Sequence, residues 1–75
     1  MNKDAFMELA TLYFKRYTEE ERREIRIDFL IQADKKTAKA WSMAEKSEIP
    51  PELNYLIREK FFRFFMIRQE IGINF

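Results

Sequence analysis

Pro50-Pro51-Glu52-Leu53-Asn54-Tyr55-Leu56-Ile57-Arg58-Glu59-Lys60-Phe61-Phe62-Arg63-Phe64-Phe65-Met66-Ile67-Arg68-Gln69-Glu70-Ile71-Gly72 is the stretch around which the rest of the chain has to be arranged. Both prolines lack an amide donor and fix their own backbone angle, which suits a chain entering a helix and would break the middle of one. Behind them run about twenty residues without another breaker, until Gly72 offers a stop. Leu53, Leu56, Ile57, Phe64, Ile67 and Ile71 fall on one face at helical spacing, and Phe61 and Phe65 widen it. Tyr55, Phe62 and Met66 fall roughly opposite, so that Glu59, Arg63 and Glu70 leave only a narrow charged stripe. One neighbouring helix cannot cover that much apolar surface. This helix is therefore either central to a small bundle or shared between two chains.

The upstream chain supplies the neighbours. Residues 4–17 read as a first helix, capped by Asn2 or Asp4, with Phe6, Leu9, Ala10, Tyr13, Phe14 and Tyr17 in a helical period. Thr18-Glu19-Glu20-Glu21 has the form of a capping box, and its three acids suit the positive end of a second helix better than a metal site, whose ligands must converge. Between Arg22 and Ala33 the pattern also alternates as a strand would, but the cap upstream and the absence of a partner strand favour helix. Ile25 and Phe29 then face one way while Ile27 and Ile31 face nearly the other. Asp34-Lys35-Lys36-Thr37 is a continuation, a kink, or a break with Asp34 or Thr37 as cap. Residues 38–46 form a helical segment with Ala40, Trp41 and Ala44 spaced for packing, and residues 47–51 form a hinge. After Gly72, the tail ending in Phe75 either folds back or meets another chain. The expected architecture is all-α: one helical domain over residues 1–75, a small bundle of three long helices, or of four if the chain breaks near residues 34–37.

A chain of 75 residues buries a small share of its surface and usually needs reinforcement. With no cysteine and no histidine, neither a disulfide nor the commonest metal ligands are on offer. Association is the route left, and an apolar share of 47% with 16% aromatics favours a homo-oligomer, most simply a dimer. The same two missing residue types remove the usual thiol nucleophile and imidazole base, and the single glycine leaves no phosphate cradle. Asp28, Asp34 and Glu59 lie close to lysine or arginine in the sequence and, with Glu52, read as surface charge. No catalytic, cofactor-binding or metal-ligating residue is assigned. The amino terminus meets charge before any sufficient apolar run, so no signal peptide is read there; no run of eighteen apolar residues suggests a membrane span, and a cytoplasmic protein is expected.

What can be read of function is therefore interaction. Buried aromatics with an arginine rim are the usual material of a protein interface. Tyr55, Phe62 and Met66 are the side chains expected to stay uncovered in one chain, with Arg63 at their rim; Tyr13 and Tyr17 on the first helix offer a second surface if self-association uses the first. The chain is thus expected to self-associate and to bind and modulate a larger protein. The alternative is a dimeric DNA-binding regulator: residues 43–53, Met43-Ala44-Glu45-Lys46-Ser47-Glu48-Ile49-Pro50-Pro51-Glu52-Leu53, resemble the middle of a helix-turn-helix. That resemblance implies Asn54, Tyr55, Arg58, Lys35, Lys36 and Lys39 as DNA contacts. It departs from the motif at Glu48, where the turn usually holds glycine, and at Asn54, where a core residue belongs, and a net charge of +1 gives no global attraction for nucleic acid. A phenylalanine-rich amphipathic helix lying on a membrane surface is a third reading, although the dense apolar cover suits a bundle better.

Overall fold

In a computed structural model, residues 2–69 are described and form four helices: α1 (Lys3–Phe14), α2 (Glu19–Gln32), α3 (Lys35–Glu45) and α4 (Pro51–Arg68). Each boundary has a local cause. Asn2 caps α1 by accepting from the Ala5 amide at 2.7 Å. The first helix stops three residues earlier than its periodicity suggests, the chain turning through Arg16 N–H to Tyr13 O and Tyr17 N–H to Phe14 O. Thr18 and Glu21 form both halves of the capping box, at 3.1 and 2.9 Å. Between α2 and α3 the chain does break: Ala33 is extended, and Asp34, the first of the two cap candidates, accepts from the Thr37 amide at 2.7 Å.

The turn into α4 is a Schellman motif. Glu48 N–H donates to Met43 O at 2.9 Å and Ser47 N–H to Ala44 O at 3.1 Å, with Ser47 held at a φ of 57°. The left-handed position thus falls at Ser47, one residue before the position the helix-turn-helix comparison would give it. Pro51 opens α4, and Asn54 N–H to Pro50 O closes its first turn. The expected stop at Gly72, Ile71 as part of the apolar face, and the placing of Phe75 lie outside the described residues.

Helix α4 packs against each of the other three. Phe61 is where they meet: its ring lies 5.4 Å from Phe14 of α1, 5.4 Å from Phe29 of α2 and 5.0 Å from Trp41 of α3, centroid to centroid. Phe65 extends this core towards Phe14 and Tyr17, at 5.2 and 5.6 Å. Phe6, Ala10, Ile25, Phe29, Ile57 and Phe62 complete it with Met66. All of these pairs but the tilted Phe61–Trp41 contact are edge-on, and such pairs stabilise beyond the area they bury.

The face of α4 that turns inward differs from the expected one. Phe62 and Met66, expected to be uncovered, are 5% and 1% exposed within the single chain. Leu53, Leu56 and Ile67, which share a helical face with Ile57 and Phe64 in the sequence, are 50%, 50% and 74% exposed, while Phe61 and Phe65 are buried and Phe64 half-buried against the core. Aromatic side chains bury more area than leucine or isoleucine, so the helix takes the rotation that encloses Phe61, Phe62 and Phe65 and leaves the aliphatic stripe outside. Helix α2 follows its expectation: Ile25 and Phe29 are buried, while Ile27 and Ile31 are exposed.

Two caps make the fold acid-sensitive. Hydrogen bonds from the Thr18 amide and then its hydroxyl hold Glu21 below its ordinary 4.5, and those from the Thr37 side chain and amide hold Asp34 below 3.8. A lowered carboxylate pKa contributes stability above the unfolded-state value and loses it as pH falls through the folded-state value. Melting temperature is accordingly expected to hold steady down to about pH 5 and to fall below it. Asp34→Asn keeps a capping oxygen without the titrating group, so its acid-induced drop is expected to be smaller than that of the native chain. Thermal melts of both chains at stepped pH check this.

Candidate interaction surface

The exposed stripe of α4 borders a furrow. At one end Leu53 and Leu56 face Lys36, Thr37 and Ala40 of α3. The next depression shares Asp34, Thr37 and Lys60 with the first and adds Gln32 and Phe64. The last shares Gln32 and Phe64 and ends at Ile67 and Arg68. Three largely apolar depressions with shared walls therefore lie in a row beside α4 from Leu53 to Ile67, bounded by α3 and the α2–α3 junction, and together form a furrow.

Its waist is polar and fixed. Lys60 Nζ donates to Thr37 Oγ1 at 2.8 Å, and Thr37 in turn serves the Asp34 cap. Thr37 is 7% exposed, so this bridge sits at the base of the furrow. Asp34 is further held ionised by the positive charges of Lys60 and Lys36. Beyond the far end, Arg68 clasps Asp28 of α2 at 2.6 Å, and Ile31 lies one helical turn after Asp28.

The residues singled out from sequence are dispersed by the fold. Phe62 and Met66 belong to the core, as described above. Tyr55 is half-buried; its hydroxyl oxygen is enclosed without a hydrogen bond of ordinary geometry, and burial, followed by the charges of Asp4 and Glu59, raises its pKa above 10.0. Arg63 pairs with the buried Glu59 at 3.1 Å and lies 5.2 Å over the Phe6 ring, where it ties α1 to α4. Tyr13 and Tyr17 are half-buried at the edge of the core; Arg16 lies 4.8 Å over the first ring, and the second donates its hydroxyl proton to Gln69 at 3.0 Å.

Of the six DNA-contact candidates, Lys36 lines the furrow. Asn54 and Arg58 border a different depression with Trp41, Ala44, Glu45 and Ser47. Lys35 and Lys39 are exposed on α3, Tyr55 is enclosed as above, and the first turn of α4 presents Glu52 and Leu53 to solvent. These six do not form one basic face.

Sequence reasoning missed Leu53, Leu56, Lys60 and Ile67 as a surface. The signal that finds them is ring area: weighting the α4 wheel by buried area rather than by number of apolar residues turns the phenylalanines inward. Among the described residues, no helix is long and apolar enough to cross a membrane, and no three acidic side chains gather as a metal ion would require. The chain matches no protein-family model, no curated protein and no solved structure. What the fold defines is a small all-α bundle of four helices.

Proposed function

We propose that this bundle is a non-catalytic interaction module that self-associates as a dimer and, in that form, binds and modulates a larger protein by occupying a groove on it. One observation carries the reading. Ile27, Ile31, Leu53, Leu56 and Ile67 are 47% to 75% exposed on α2 and α4, even though the chain encloses nine apolar side chains elsewhere. Isolated exposed aliphatics are ordinary, but several on two helices, with Leu53, Leu56 and Ile67 lining the furrow, are the usual mark of an association surface. Protein is favoured over nucleic acid because the α4 start presents Glu52 and Leu53, Tyr55 is enclosed, and Arg58 borders a different depression from Lys36.

Light scattering over a concentration series tests the self-association on which this reading depends. Twice the mass of one chain is expected at about 100 µM, declining towards the single-chain mass on dilution. A single-chain mass across the whole series would remove self-association from the reading.

A further inference from the structure

We infer that the occupant of the furrow is the outer stripe of α2 from a second copy of the chain, seated antiparallel to α4. This rests on the self-association proposed above and specifies its surfaces. The outer side of α2 carries Glu20, Glu24, Ile27 and Ile31, at spacings of four, three and four residues. All four are exposed. The stripe therefore presents two aliphatic side chains behind two carboxylates, and the furrow presents two leucines behind a lysine.

The spacings match in one register. From Glu24, Ile27 and Ile31 lie about 4.5 and about 10.5 Å along the helix axis. From Lys60, Leu56 and Leu53 lie about 6 and about 10.5 Å back along α4. Placing Glu24 over Lys60 with the helices antiparallel therefore brings Ile27 to Leu56 and Ile31 to Leu53. Lys36 lines the same depression, and the two lysines together outweigh the Asp34 carboxylate beside them, leaving a net positive charge for the acidic stripe. Helix α4 packed on its own copy is a poorer solution. Lys60 is midway between Leu53 and Ile67, so register-matched pairing, parallel or antiparallel, sets it against the partner's own Lys60. In a two-fold pair each copy gives its α2 stripe and takes its partner's, and the interface closes.

Two charge reversals test the assignment. Lys60→Glu and Glu24→Lys are each expected to weaken the dimer at least about tenfold while far-UV circular dichroism stays native. Mixed in equal amounts, they are expected to pair again, because both contacts of the mixed pair then join opposite charges. Sedimentation equilibrium reads all three samples. Glu24 makes no ion pair within the chain among the described residues, so Glu24→Lys alone carries the test if loss of the Thr37 contact unfolds Lys60→Glu. A native dimer unaffected by both reversals, or variants that fail to pair on mixing, would overturn the α2-to-furrow contact and leave self-association standing. A native monomer would remove both.

Discussion

Phe61→Ala is expected to cost about 3–5 kcal/mol, the largest effect of any single truncation in this chain. The side chain is 3% exposed, and among the described residues its ring is the one that meets an aromatic from each of the other helices. A domain of this length has about 4–11 kcal/mol in total, so the variant should be partly or wholly unfolded at room temperature. Phe61→Leu fills most of the space and is expected to stay folded with a loss nearer 1.5 kcal/mol. Urea titration followed by circular dichroism measures both. Equal, small losses for the two would mean that the helices do not converge on this ring.

Phe62→Glu combined with Met66→Glu is expected to abolish the fold at neutral pH. Both positions are enclosed by the chain itself, and an ionised carboxylate forced into such a site costs several kcal/mol even after relaxation. The same pair of changes one face away, Leu56→Glu with Ile67→Glu, lands on exposed positions and is expected to leave native helicity while weakening association. The contrast reads out the rotation of α4 directly. A folded chain from the first pair and an unfolded one from the second would reverse the assignment of its faces.

That rotation is the part of the fold the sequence did not disclose. The starts of α2 and α4 were legible because they rest on chemistry within three or four residues, the Thr18–Glu21 box and the two prolines before Glu52, whereas the Asp34 cap was one of several readings left open and α1 ends short of its periodicity. The two-sidedness of α2 was legible for the same reason, since Ile25 and Phe29 alternate with Ile27 and Ile31 over about two turns. Helix α4 is apolar nearly all the way round, and periodicity then fixes that it is wanted on several sides without fixing which side is innermost. The choice depends on what approaches: Phe14 brings an edge to Phe61, Phe62 and Phe65 together, and no count along α4 contains that fact. The surface was hidden for a related reason. Lys60 and Thr37 are 23 residues apart, and the waist they form exists only once α3 lies across α4. Arg63, which a rim would use, is instead engaged with Glu59 and Phe6.

In the proposed assembly, a chain that leaves Ile27, Ile31, Leu53, Leu56 and Ile67 exposed is completed by a second copy. Equilibrium unfolding at two protein concentrations tests it most directly, because a fold reinforced by its own copy gains stability by mass action. Each tenfold rise in concentration is expected to add about 1.4 kcal/mol per mole of dimer and to move the urea midpoint upward, with Leu56→Glu, Ile67→Glu showing little or no such shift. A native midpoint that does not move between about 5 and about 500 µM would contradict the account, since the exposed stripes of α2 and α4 would then contribute nothing to holding the chain together.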